Sequence, residues 1–198
     1  LNKYKFIEDN TIYNEDNLIE LKKYIDLSNL IYNNTFSINK LNIFKTNSFF
    51  ITNVPTNSTQ YYLLILNENN YLINNFGDKK DITISETVNY NIIFNGYYIN
   101  DKYYIIDILY LDELLNTIPL NEKIELINEL EQEYSFSANN IFISEYQDDN
   151  YIKIASDLVN ENKNINLIFM PTIQNESMNY LEWNSNFIID NNIILQVI

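Results

Sequence analysis

The chain has 198 residues, with 27 acidic and 12 basic side chains, so its formal charge is −15 and its pI is near 4.2. All the basic residues are lysines, and such an acidic surface argues against a binding groove for polyanions, which depends on positive charge. Histidine and cysteine are absent from the sequence, which excludes imidazole bases, thiolate nucleophiles, zinc knuckles and disulfides.

Hydrophobic periodicity predicts three amphipathic helices. Residues 16–27 place Leu18, Leu21, Tyr24 and Ile25 on one helical face, and residues 121–134 do the same with Ile124, Ile127 and Leu130. The second helix has Asn121 available as an N-cap. Residues 149–162 form the third candidate, with Ile152, Ile154, Ala155 and Leu158 inward.

Segments rich in tyrosine and isoleucine predict β-strands between and after these helices. The predicted strands are residues 49–54, 61–66, 71–74, 90–94, 97–99, 103–109, 141–144, 165–170 and 187–197. Asparagine-rich segments at residues 67–70 and 100–101 read as hairpin turns. We therefore expect one α+β domain over residues 1–198. Because the chain begins at Leu1 without a methionine, we also expect it to belong to a longer polypeptide.

Residues 49–66 read FFITNVPTNSTQYYLLIL, which is a strand, a short polar turn and a second strand. This outline resembles the lysine loop, K-x-D-G-x-R, of the mRNA guanylyltransferases (mRNA capping enzymes), a branch of the covalent nucleotidyltransferase and DNA ligase superfamily. Matching the aliphatic runs puts Pro55 at the lysine, Asn57 at the aspartate, Ser58 at the glycine and Gln60 at the arginine. In that family the lysine amine attacks the α-phosphorus of GTP, and proline offers no nucleophile for this step.

Other blocks resemble the same family in the same order. Residues 37–44 resemble its short helix before the lysine strand, and residues 94–99 resemble its L-D-G-E-L-V strand, with Asn95 for aspartate, Gly96 retained and Tyr97 for glutamate. Residues 103–109 resemble Y-x-x-F-D-I-L and keep Asp107, the best remnant of a metal or ribose contact. The other interpretation of Asp107 is a carboxylate at a strand end that shapes the turn.

The last two blocks have lost charged groups. Residues 166–171 resemble D-G-L-I-F-T-P, with Ile165 and Asn166 in place of the acidic residue and the glycine. Residues 181–184 resemble L-K-W-K, whose two lysines approach the phosphates, and here they are Glu182 and Asn184. The resemblance implies a nucleotidyltransferase domain (ATP-grasp-like, DNA ligase adenylation-type) of antiparallel sheets flanked by helices, without the OB-fold lid.

Several residues outside these blocks allow a second interpretation. Lys45 begins K-T-N-S, which also resembles K-x-D-G and would make Lys45 a displaced nucleophile, although a surface lysine explains it as well. Asp148 and Asp149, or the glutamates at 129, 131 and 133, suggest metal ligands. The glutamates alternate along a helix, so a solvated acidic face is the simpler interpretation. Tyrosine pairs and Trp183 are read as packing residues.

The resemblance and the altered residues together predict a catalytically inactive guanylyltransferase-like domain, which needs no cofactor and no metal. Its expected partners are proteins or adjacent domains of a capping or transcription complex, without direct nucleic-acid or membrane binding. The expected setting is the cytoplasm, with a viral factory or a virion as one option. An active guanylyltransferase that uses Lys45 with GTP and Mg²⁺ is the alternative, and an unrelated acidic α+β interaction domain is the third.

Overall fold

The computed structural model describes residues 15–25, 49–66, 69–146, 165–172 and 181–184. The described chain is α+β, as predicted. It contains helices α1 (Glu15–Lys22) and α2 (Leu120–Tyr134) and a 3₁₀ turn, Phe136–Asn139. The strands are β1 (Phe49–Pro55), β2 (Thr59–Leu66), β3 (Asn69–Ile73), β4 (Lys79–Asp81), β5 (Ile92–Ile99), β6 (Lys102–Leu111), β7 (Ile141–Ile143), β8 (Ile165–Pro171) and β9 (Leu181–Asn184).

The strands form two sheets. The large sheet has the order β4-β3-β2-β5-β6-β7, and the small sheet has the order β1-β8-β9. Every pairing is antiparallel except that of β6 with β7. The sheets are thus antiparallel as predicted, apart from this one short parallel pair. This pair arises because α2 carries the chain back to the starting end of β6, as a crossover connection does.

The large sheet is buried on both faces, because its central strands contain runs of consecutive buried residues. Leu63 and Ile65 belong to a core with Ile127 and Leu130 of α2. Their neighbours on β2, among them Tyr62 and Leu64, belong to a second core with α1. Since successive strand residues point to opposite faces, the two helices cover opposite faces of this sheet.

A third core joins the two sheets. It contains Tyr97 and Ile106 from the large sheet, Ile168 and Met170 from the small sheet, and Leu120 from the first turn of α2. The backbone N–H of Leu120 also donates to the carbonyl of Thr172, just after β8, at 3.0 Å. The start of α2 is therefore fixed to both sheets.

Several predicted boundaries were wrong. Residues 90–94 and 97–99, predicted as separate strands, form the single strand β5, and Asn69 and Asn70 belong to β3 and not to the turn. The N-cap of α2 is Pro119, without a side-chain cap, and Asn121 lies inside the helix. Strands β4 and β9 were not predicted. The helices predicted at 37–44 and 149–162 and the strand at 187–197 lie outside the described residues.

The hairpin turn predicted at residues 100–101 is confirmed. Asn100 and Asp101 have φ of 51° and 59°, and Ile99 pairs with Lys102 across the turn. Both residue types tolerate the left-handed region, which a tight two-residue hairpin requires at its two central positions.

Gly96 lies inside β5, and glycine is required there because the neighbouring strand approaches the backbone closely. A Cβ built there would be 2.1 Å from the carbonyl oxygen of Tyr104 and 2.7 Å from the ring of Tyr103. The Tyr103 hydroxyl crosses above this glycine and donates to the carbonyl of Tyr61 at 2.9 Å. Glycine in a strand interior commonly marks such an approach.

Replacing Gly96 with alanine should therefore destabilise the domain by about 1–3 kcal/mol or more, since the clash is with backbone that cannot rotate away. Urea denaturation followed by circular dichroism measures the change. Thr59→Ala, at an exposed strand start, is the control and should change stability by no more than about 0.5 kcal/mol. Equal midpoints for the two variants would contradict the steric role of Gly96.

Candidate functional site

The strand, turn and strand predicted at residues 49–66 are confirmed, but the two strands belong to different sheets. Pro55 ends β1, in the small sheet, and Thr59 begins β2, in the large sheet. Between them Ser58 folds back, because both its backbone N–H and its hydroxyl donate to the carbonyl of Pro55, at 3.1 Å and 2.7 Å. Asn57 is exposed in this turn. The turn therefore joins the two sheets at one end of the space between them.

Two of the motif positions on the large sheet bind each other. The side-chain amide of Gln60 donates to the Oδ1 atom of Asn95 at 3.0 Å, and Asn75 from the turn after β3 donates to Gln60 at 3.4 Å. Asn95 is fully buried. These three neutral amides form a chain of hydrogen bonds at positions where the capping-enzyme pattern has an arginine and an aspartate.

Tyr97, at the glutamate position, fills space between the sheets. Its ring stacks on Tyr104 with centroids 5.0 Å apart and planes 9° apart, and its hydroxyl reaches the carbonyl of Asn53 in β1 at 3.5 Å. Only 7% of the residue is exposed. Burial raises the pKa of the Tyr97 hydroxyl to about 12, so the ring is neutral at physiological pH.

A second tyrosine, Tyr146, follows β7 and packs against the same core between the sheets. The hydroxyl of Tyr146 donates to the carbonyl of Ile106 at 2.8 Å, next to Asp107. Burial raises the pKa of Tyr146 well above its ordinary value, and the charge of Asp107 and the nearby Tyr97 raise it further. Tyr97 and Tyr146 thus bring two neutral hydroxyls into the space between the sheets.

Asp107 forms a buried ion pair. It lies inside β6 and not at the strand end, and its Oδ2 atom is 3.3 Å from the Nζ atom of Lys123 in α2, with side-chain exposures of 0% and 1%. Its Oδ1 atom accepts the backbone N–H of Ile108 at 2.8 Å. The β5–β6 register slips on both sides of Asp107, and such bulges free backbone groups that a side chain can satisfy. These contacts explain Asp107 as a structural carboxylate.

The small sheet brings the remaining motif positions together through its register. Asn166 of β8 lies between Val54 of β1 and Asn184 of β9, and Glu182 pairs with Ile168. Pro55 is next to this row and pairs with Ile165. The backbone therefore places the lysine-loop, D-G-L-I-F-T-P and L-K-W-K positions side by side. Lys45 and Asp148 and Asp149 lie outside the described residues.

Sequence reasoning missed Lys123. The predicted face of α2 contained Ile124, which is only partly buried, whereas the buried stripe contains Leu120, Lys123, Ile127, Leu130 and Tyr134. A signal existed, since Lys123 continues the helical spacing of Ile127 and Leu130, and Asp107 in an apolar strand requires a counter-charge. No group of three or more acidic side chains in the described residues could hold a metal ion. None of the described helices is long and apolar enough to cross a membrane.

No protein-family model and no curated protein matches the chain. Among solved structures, it is similar to mycobacterial DNA ligase D complexed with ATP and MES, with 11% identity, a TM-score of 0.48 and coverage of 68% of this chain and 54% of that one. It is also similar to the ligase domain of LigD from M. tuberculosis, with 11% identity, a TM-score of 0.47 and coverage of 68% and 53%. The chain thus spans about half the length of these ligase chains. Neither of these proteins is a capping enzyme, so the resemblance of this chain to capping enzymes stays a prediction.

Removing one partner of the buried ion pair should be far more damaging than removing an exposed charge. Lys123→Met leaves the Asp107 carboxylate buried without its counter-charge, and we expect a loss of about 3–5 kcal/mol in the free energy of unfolding. Adding Asp107→Asn removes that charge and should recover part of the loss. Urea denaturation of the single and double variants measures the coupling.

The control for this pair is Asp101→Asn, which removes the carboxylate of the exposed Lys80–Asp101 pair. Its expected effect is under about 1 kcal/mol. A double variant less stable than Lys123→Met alone would argue against the buried pair.

Tyr97 should make the fold sensitive to alkali. An unfolded tyrosine has a pKa of about 10, and burial raises the pKa of Tyr97 to about 12. The buried neutral ring therefore stabilises the fold fully below pH 10, and this contribution is lost as the pH rises towards 12. Tyr97→Phe, which cannot ionise, should lose about 1 kcal/mol less stability than the wild type between pH 8 and pH 11.

Urea midpoints at the two pH values test the role of Tyr97. Tyr90→Phe, at a position 40% exposed, is the matched control for the loss of one tyrosine hydroxyl. Identical losses for the Tyr97 and Tyr90 variants would contradict the assignment of alkaline sensitivity to Tyr97.

Proposed function

We propose that the chain is a catalytically inactive guanylyltransferase-like domain that serves as a structural or interaction module of an mRNA capping or transcription protein. The observation that supports this most directly is the internal use of the motif positions. Gln60 and Asn95 hydrogen-bond to each other, and Tyr97 packs into the core between the sheets. These three side chains, which would face a nucleotide in the capping-enzyme pattern, are here neutral and make their contacts within the chain.

The absence of a nucleophile at the lysine position supports the same proposal. Pro55 lies at the end of β1, in a turn closed by Ser58, and it offers neither an amine nor a charge. Lys123 is a poor substitute because its Nζ atom is buried and paired with Asp107. The Asp107 carboxylate holds this Nζ atom at 3.3 Å inside the core, away from any bound nucleotide.

Electrostatics also favour a protein partner over a polyanion. The charge of −15 opposes the approach of RNA or of a nucleoside triphosphate. The same charge accelerates association with a basic protein surface. Glu182 has the opposite sign to the lysine that the capping-enzyme pattern places there. We therefore propose protein partners, or adjacent domains, in a cytoplasmic capping or transcription complex and no direct contact with nucleic acid.

The active alternative makes the opposite chemical prediction. Purified folded protein would be incubated with α-labelled GTP or ATP and with Mg²⁺ or Mn²⁺, and acid-labile label would be sought on denaturing gels. We expect no label on the protein, because attack on the α-phosphorus needs an amine at the lysine position of the loop, where this chain has Pro55. An active capping enzyme assayed in parallel confirms that the reagents work, and circular dichroism confirms folding.

Lys45→Ala is the variant that separates the two outcomes. A labelled wild-type band that disappears in Lys45→Ala would overturn the proposal and identify Lys45 as a displaced nucleophile. A band that persists in this variant would equally overturn it and direct the search to another lysine by mass spectrometry.

A further inference from the structure

The molecule contains a binding site for a lysine that is filled by its own chain. The rings of Tyr61 and Tyr98 meet edge to face, with centroids 6.0 Å apart and planes at 69°. Lys80 lies over the Tyr98 ring, with its Nζ atom 4.0 Å from the centroid, and donates to the Tyr98 hydroxyl. The carboxylate of Asp101 is 3.7 Å from the same Nζ atom. The Tyr98 ring and the Asp101 carboxylate thus hold one ammonium group, and the Tyr61 ring packs against Tyr98.

A second site has the same components at the opposite end of β6. Tyr24, just after α1, meets Tyr110 of β6 edge to face, with centroids 5.2 Å apart and planes at 73°. Both rings are partly exposed, and Asp112 and Glu113 follow in the exposed turn after β6. Burial raises the pKa of Tyr110, and the charges of Asp112, Tyr24 and Glu113 raise it further. Two carboxylates are therefore within electrostatic range of this ring pair.

Hydrogen bonds hold the turn beside these rings in one conformation. The Oδ1 atom of Asp112 accepts both the backbone and the side-chain N–H groups of Asn91, at 2.9 Å and 3.1 Å, and its own N–H donates to the Asn91 carbonyl. Leu114 then pairs with Tyr110 in an isolated bridge and is 50% exposed. The strand end that contains Tyr110 is therefore followed by a fixed turn with two exposed carboxylates and one exposed apolar side chain.

The described lysines do not fill this second site. Cation–π contacts within the described parts of the chain involve Tyr71, Tyr98 and Phe142, and the ion pairs there involve Lys80 and Lys123. Lys22 and Lys23, the nearest in sequence to Tyr24, are exposed and take part in neither kind of contact. Tyrosine faces attract ammonium and guanidinium groups, and more strongly when desolvated.

We propose that Tyr24, Tyr110, Asp112 and Glu113 form a docking site for a lysine or arginine side chain of a basic protein partner. Leu114 contacts an apolar residue beside that side chain. The overall charge of −15 steers such a partner to the surface, and the ring pair gives the contact its position. This inference deepens the proposed interaction role by naming the partner's chemistry, and it does not depend on whether a nucleotide is bound elsewhere.

The probe is a short synthetic peptide with a single Lys-Leu pair in a glycine and serine background, titrated into the protein and followed by tyrosine ring resonances in NMR. The Tyr24 and Tyr110 signals should shift together. Tyr110→Leu keeps the net charge and should weaken binding about three- to tenfold, in line with the loss of a cation–π contact. A peptide with norleucine in place of lysine should bind more weakly to the wild type.

Matched charge variants separate a positioned contact from diffuse attraction. Glu113→Gln and Glu125→Gln each remove one exposed carboxylate, the first at the site and the second on α2. Glu113→Gln should weaken binding at least twofold more than Glu125→Gln. Equal weakening by both, or lysine and norleucine peptides that bind alike, would overturn the proposal. If Tyr110→Leu does not fold, the glutamine variants and the two peptides still decide the question.

The docking and labelling experiments test the two proposals separately. A GMP adduct on the protein would remove the inactive-domain proposal and leave the docking site standing. Loss of peptide specificity would remove the docking site and leave the labelling result unchanged.

Discussion

The ion pair between Asp107 and Lys123 is the contact on which the arrangement of the domain depends. Two opposite charges without solvent lose several kcal/mol of hydration each, and only close pairing and further hydrogen bonds offset that loss. Lys123 lies one turn after Leu120, whose side chain packs between the sheets and whose N–H binds the small sheet. The pair therefore fixes the start of α2 over β6, and α2 in turn fixes the small sheet against the large one.

Tyrosine side chains fill much of the space between the two sheets. The stacked rings of Tyr97 and Tyr104 occupy it, and neutral hydroxyls bind carbonyl groups along its edges. A nucleoside triphosphate needs cations or N–H groups to replace its hydration, whereas the residues of the core between the sheets are apolar or aromatic. Apolar and aromatic residues of both sheets therefore pack into one shared core.

The local sequence pattern was sufficient to predict most elements of the fold. The features that it failed to predict depend on contacts between distant parts of the chain. Alternation and aliphatic runs predicted β1, β2, β6 and β8 closely, because their burial follows directly from hydrophobicity. Residues 90–94 and 97–99 were predicted as separate strands, whereas Gly96 lies inside β5, where the close approach of Tyr103 from the neighbouring strand requires glycine. Lys123 was overlooked because charged residues are normally exposed. The hydrogen bond between Gln60 and Asn95 has no signal in the sequence, since it depends on the register of β2 against β5.

The small sheet is built from distant parts of the chain, and this has a consequence for biosynthesis. β1 finds its partner only when Phe49 meets Pro171, and β9 follows later still, whereas β2, β3 and β5 pair with close neighbours in sequence. On a ribosome, the large sheet can therefore form while the partner of β1 has not yet been synthesised. During that interval the apolar residues of β1, such as Ile51 and Val54, have no strand to cover them. Exposed strand edges of this kind invite aggregation, so chaperone capture is most important for this chain before β8 leaves the exit tunnel.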